Sequence, residues 1–255
     1  MNSIIHKDSQ MSVAFEQFKD KLYHNSFAFF QLIALQALGY LFSFSSSMTG
    51  IGDQHFMLSI RHISPIPLFI MSVLWIVIQA FGFSGEKRRE YYMVSNNFTA
   101  YFSDIAVLEI YAVIIGITMV FSGPMLQLLG GLALGNASLG TTYDSMTVLH
   151  YLSLFITTTF YSLLFGAAAY FLGILRIRYQ SFFVISSIGF ILLLIVGSLL
   201  GVRFIGPDFN IGIAGVIQFY AQESRIILWL IKIIGSIGAL YGLIWLGIKN
   251  LEVNK

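Results

Sequence analysis

The side chains best equipped for chemistry in this sequence stand together at Glu86-Lys87-Arg88-Arg89-Glu90, which runs on through Tyr91 and Tyr92 to a Ser95-Asn96-Asn97 turn and Phe98. They do not form a catalytic set, because no nucleophile is paired with a base. Two uses suit such a cluster. It can be an anchor whose charges face water and lipid headgroups, or a docking element for another polypeptide. The length of the polar stretch, Gly85–Asp104, favours docking, and Ser95 and Asn96, good cap and turn residues, predict two short helices with a break between them.

Other polar residues are sparse and lie within apolar surroundings. Glu109 follows Asp104 by little more than one helical turn; a carboxylate at the centre of a bilayer helix costs about 2.5–3.5 kcal/mol on insertion scales. Near a helix amino terminus the dipole favours both carboxylates by about 0.3–1 kcal/mol. Glu109 therefore reads either as an interfacial, cap-like residue or as a residue of gating or substrate passage. Gln31, Gln36 and Gln79 need partners, which interhelical hydrogen bonds would supply. Thr157, Thr158 and Thr159 are expected to bond back to their own helix carbonyls.

The five histidines lack the i, i+4 spacing of a metal helix, and although His55 and His62 could share a face, no metal site is expected. The chain has no cysteine, which removes disulfides, thiolate metal sites and cysteine catalysis. Ser122-Gly123 with His150 is only a faint echo of a membrane serine protease. No Gly-x-x-x-x-Gly-Lys-Ser/Thr phosphate loop is present, so the chain holds no nucleotide of its own by that route.

The elements that carry these residues are apolar. Hydrophobic residues make up 57% of the chain and charged residues 10%, and the mean hydropathy is +0.80. A soluble domain would have about a quarter charged. A bilayer core about 30 Å thick is crossed by roughly 20 helical residues. Six runs suffice: Phe27–Ser45, Ile66–Phe83, Ile105–Phe121, Val148–Leu175, Phe182–Val202 and Ile226–Ile248. Ahead of them, Met11–Tyr23 sets Val13, Ala14, Phe15, Phe18 and Leu22 at largely helical spacing, with Glu16, Lys19, Asp20 and Lys21 around the remainder. This predicts an amphipathic helix at the membrane surface.

Lys and Arg translocate poorly and mark the cytoplasmic side. Lys7, Lys19, Lys21, Lys87, Arg88, Arg89, Arg176, Arg178, Lys249 and Lys255 fall on one side; Arg61, Arg203 and Arg225 fall on the other. Lys232 sits within the last run and is expected to snorkel. Both termini are thus expected inside. Charge +2 gives no sign of a nucleic-acid partner, and none is expected. Ser122–Thr147, with its glycines and Pro124, suits a helix that continues past the membrane or dips back. The segment 203–225 suits a re-entrant or interfacial element on the outer side. Gly197 and Gly201, and likewise Gly238 and Gly242, have the small-xxx-small spacing of close helix packing, within the chain or between two chains.

A lead amphipathic helix (11–23), six spans and a loop (84–104) reading acidic–basic cluster, apolar stretch, turn and aromatic-rich approach to the third span resemble the type 2 ABC exporter permease family. The chain departs from that family at Asn96, Asn97 and Phe98, where a proline followed by serine and arginine is frequent, and at Leu108 and Glu109, where a lysine is frequent. The resemblance implies an all-α membrane domain spanning 1–255, with the loop as a cytoplasmic coupling helix. It implies that Glu86, Lys87, Arg88, Arg89 and Glu90 contribute to docking by charge, with Tyr91, Tyr92 and Phe98 as buried anchors. It also implies an ATP-binding cassette ATPase as partner, with ATP and Mg bound there and not here, and a second permease chain as a homo- or heterodimer.

The expected setting is a multi-pass protein of the bacterial plasma membrane, in contact with lipid. The expected cargo is hydrophobic or amphipathic: a peptide, an antibiotic or a lipid. A carrier or channel working alone would show an internal repeat, which the two halves lack. A membrane enzyme or assembly factor would need more ionisable groups converging within the spans.

Overall fold

The computed structural model describes residues 2–48, 58–63, 65–90, 97–134, 148–178 and 226–249. Its elements in chain order are α1 (Asn2–His24), α2 (Ser26–Ser43), β1 (Phe44–Met48), β2 (Leu58–Ile63), α3 (Ile66–Glu90), α4 (Asn97–Leu134), α5 (Val148–Arg178) and α6 (Ile226–Lys249). A helix satisfies its own backbone, the condition that a lipid environment imposes. Five helices, α2 to α6, are long and apolar enough to cross a membrane. The expected span Phe182–Val202, the segment 203–225 and the glycines Gly197 and Gly201 lie outside the described residues.

Two boundaries differ from expectation. The third span does not begin at Ile105, because α4 starts at Asn97; its continuation to Leu134, with Pro124 inside it, agrees with the reading of Ser122–Thr147 as suiting a helix that runs on past the span. The cluster Glu86–Glu90 is not set off from the second span either: α3 carries it without a break. Glu, Lys and Arg are good helix formers, so the hydropathy falls at residue 84 while the helix persists. The strand pair was not anticipated. β1 and β2 are antiparallel, from Phe44 opposite Ile63 to Met48 opposite Leu58, with an irregularity between Ser45 and Ser46.

α2 and α3 pack antiparallel at close range. A Cβ on Gly39 would lie 2.8 Å from the Leu68 Cα. Down the same seam, Trp75 Nε1 donates to the Ala28 carbonyl at 2.8 Å, and Gln79 Nε2 donates to Gln31 Oε1 at 2.8 Å. Tyr111 of α4 is fully buried against Trp75, at 4.7 Å between ring centroids, and is flanked by Phe29 and Phe83. The α4–α5 seam is also antiparallel, and a Cβ on Gly116 would collide with Thr159 Oγ1 and meet the Phe155 ring. α6 buries Ile233, Ile237, Ile244 and Ile248, one face at helical spacing. It runs parallel to α5, since Trp229 meets Phe160 and Tyr161 while Gly247 meets Ile174.

The expected glutamine partners are present. Gln36 Nε2 donates to Ser72 Oγ at 3.1 Å and to Thr118 Oγ1 at 2.7 Å, tying α2 to α3 and α4. Both hydroxyls also donate to carbonyls of their own helices, Leu68 and Ile115. Removing the amide therefore orphans neither of them. Gln36→Leu should lower stability by only about 0.6–2 kcal/mol, measured as the thermal unfolding midpoint in detergent.

Candidate functional site

A buried ion pair lies at one end of the bundle, formed by the carboxyl ends of α3, α5 and α6 and the amino end of α4. This end carries Lys87, Arg88, Arg89, Arg176, Arg178 and Lys249 in the sequence and is called the basic end below. Its hub is the second turn of α4. Asp104 is 1% exposed, and its two carboxylate oxygens have different partners. Lys21 Nζ of α1 lies 2.5 Å from Oδ1, and the Tyr170 hydroxyl of α5 donates to Oδ2 at 2.6 Å. Lys21 Nζ also donates to Ser103 Oγ at 3.0 Å, and that hydroxyl donates to the Ala100 carbonyl at 2.9 Å. Every member of the cluster thus has a partner, the condition for a buried ion pair to persist in an apolar bundle.

α1 is joined to α2 through a single turn residue, Asn25, whose amide donates to the Lys21 carbonyl at 2.9 Å and whose own carbonyl accepts from Ala28 N at 2.8 Å. Phe18 and Leu22 of α1 then pack on the core. Lys21, expected on the polar side of α1, is turned into the bundle, 11% exposed. The sequence carried a signal for this, because Ala14, Phe18 and Lys21 follow at i, i+4 and i+7 and so share a face. The role of Asp104 as an ion-pair acceptor was missed, since its partner is remote in sequence.

On the other side of the hub, the Tyr101 hydroxyl donates to the Tyr241 carbonyl of α6 at 2.7 Å. Phe98 packs tilted against Phe102 at 4.6 Å and meets Trp245 edge-on at 5.6 Å, and Tyr101 lies 5.3 Å from the same indole. The amino end of α4 is in this way bound to α1 by charge, to α5 by a hydrogen bond and to α6 by aromatic packing.

The residues expected from sequence are dispersed over this frame. Glu86, Lys87, Arg88, Arg89 and Glu90 occupy the last turns of α3. Tyr91 and Tyr92 lie outside the described residues. Phe98, expected as an anchor for another chain, is already engaged with Phe102 and Trp245, though 37% of it remains exposed. Glu109 is exposed on the chain's surface, beyond Asp104 along α4. Gln79 pairs with Gln31. A Cβ on Gly238 or Gly242 would meet no other element within 4 Å among the described residues. Thr157 and Thr158 bond back to the Ser153 and Leu154 carbonyls, whereas the buried Thr159 hydroxyl finds no hydrogen-bond partner among the described residues. Comparison with known protein families, with curated proteins and with solved structures returns no match.

Proposed function

We propose that this chain is the membrane-spanning subunit of an ATP-driven exporter, moving a hydrophobic or amphipathic cargo with ATP and Mg held by a separate ATPase chain. The observation that carries the proposal is the continuity of α3. Its 25 residues make a rod about 37 Å long at helical rise, longer than a bilayer core of about 30 Å. The acidic–basic cluster therefore projects on the same rigid element as the second span. That span is locked to its neighbours at Leu68, Trp75 and Ile76 through Gly39, Ala28 and Gly166. Force applied at Glu86–Glu90 would shift a packed core rather than flex a tether.

The parallel run of α5 and α6 supports a six-span arrangement. Two successive parallel helices need a return crossing between them, and the apolar run Phe182–Val202 has the length to provide it. With that crossing, the basic end is cytoplasmic and both termini lie inside, in keeping with the distribution of Lys and Arg. A second permease chain would complete the translocation path, and the exposed Glu109 of α4 would face either that chain or the path.

Changing Lys87, Arg88 and Arg89 together to Gln tests the proposal. The remaining basic residues on that side keep the orientation. Affinity purification of the variant should recover it folded and at normal yield but with ATP-hydrolysing activity reduced several-fold relative to the parent. Undiminished ATPase recovery would remove the docking role of the cluster.

A further inference from the structure

We infer that the groove between α1 and the basic end of α4 seats an acyl chain of an anionic phospholipid, with Lys19 at its mouth taking the headgroup phosphate. The groove is a cavity of about 300 Å³ lined by Met11, Ala14, Phe15 and Phe18 of α1 and by Phe102 and Ala106 of α4. Its one polar side chain, Ser103, is engaged by Lys21 and by the Ala100 carbonyl. Nothing within the groove could recognise a polar ligand, so the part of the occupant that it seats is apolar.

The mouth of the groove is charged. Lys19 Nζ sits 4.7 Å above the Phe15 ring, and Phe15 stacks on Phe18 at 6.0 Å, so the ammonium lies one ring away from the apolar lining. Among the described residues, Lys19 makes no ion pair, whereas Lys21, two positions on, is held by Asp104. A cation beside a hydrocarbon slot complements an amphiphile with one negative end and one apolar chain. Position agrees with this. α1 is not among the helices long and apolar enough to cross a membrane, and Phe102 and Ala106 lie near the start of the apolar stretch Phe98–Leu129 of α4, where acyl chains would begin below the headgroups. Met11 is 66% and Phe15 56% exposed, so the slot opens sideways, where a lipid could enter from the bilayer.

This inference rests on the chain's being a membrane protein and not on an ATPase partner. The full-length chain is reconstituted in nanodiscs containing phosphatidylglycerol with a diazirine near the end of one acyl chain, irradiated, and its adducts mapped by mass spectrometry. Both leaflets then have the same composition, so the result does not depend on orientation. Adducts should concentrate on the peptides carrying Phe15, Phe18 and Phe102, several-fold above those on the exposed Phe27 and Phe30 of α2. They should fall several-fold in Lys19→Gln, and again when phosphatidylcholine carries the diazirine. Ala106→Trp should abolish them by filling the slot; if that variant fails to fold, Ala14→Phe fills it from the more exposed helix. Even labelling over all exposed faces, or labelling unchanged by Lys19→Gln and Ala14→Phe, would mean annular lipid only and overturn the site. A photoactivatable benzophenone side chain at position 14 that captures another protein segment in place of lipid would also overturn it.

Discussion

Lys21→Met is expected to destabilise the folded chain by about 3–5 kcal/mol, because it leaves the Asp104 carboxylate buried without its cation. The geometry argues for the upper part of that range: Asp104 is 1% exposed, so water cannot replace the ammonium, and Tyr170 donates to only one of its two oxygens. Asp104→Asn should be nearly as harmful, since Lys21 is then pressed into the bundle as an unpaired charge. The double variant Lys21→Met/Asp104→Asn should recover most of the loss, because a buried pair removed as a unit is often close to neutral. Thermal unfolding midpoints of the four proteins in one detergent check this. Additive losses would mean that the two groups do not interact.

The second large effect is expected at Gly39. A methyl group there would stand 2.8 Å from the Leu68 Cα and 3.3 Å from its amide nitrogen, and backbone cannot rotate away as a side chain can. Gly39→Ala must push α2 off α3, loosening the neighbouring bonds from Gln36 and Trp75, and should cost at least the 1–3 kcal/mol typical of overpacking. Gly116→Ala should cost less. Its obstacles are the Thr159 hydroxyl and the Phe155 ring, both side-chain atoms, and the hydroxyl has no hydrogen bond to lose among the described residues. Gly242→Ala, with nothing within 4 Å among the described residues, sets the baseline. Unfolding midpoints ranked Gly39 lowest, then Gly116, then Gly242 would agree; a reversed order of Gly39 and Gly242 would not.

These contrasts show what could be read from the chain. Five of the membrane helices were legible because length and hydropathy are local properties, and the ends of α5 and α6 fall within a few residues of the apolar runs. The carboxyl end of α3 was not legible, because hydropathy marks where lipid contact stops, whereas Glu86–Glu90 keep the helix going by propensity; Ser95 and Asn96 did mark a helix start, but not that this helix runs unbroken from Asn97 into the third span. The Gly238 and Gly242 spacing was conspicuous, yet the closest backbone approach is at Gly39, which stands in no glycine motif. Its significance depends on Leu68 of the next helix, and no local pattern reports that. The Asp104–Lys21 pair was hidden for the same reason, although the phase of Lys21 with Ala14 and Phe18 pointed inward. The glutamines were legible because a polar group in an apolar helix demands a partner whichever one it is.

The central claim is that the end of α3 receives mechanical work from an ATP-hydrolysing chain. The most direct measurement places a photoactivatable benzophenone side chain at position 88 in the native membrane and identifies what it captures. The account predicts an adduct with a chain that carries a phosphate-loop sequence, altered in yield by ATP, with position 88 reached by an impermeant reagent from the cytoplasmic side alone. Capture of no nucleotide-binding chain, with position 88 open to an impermeant reagent from the outer face, would contradict it.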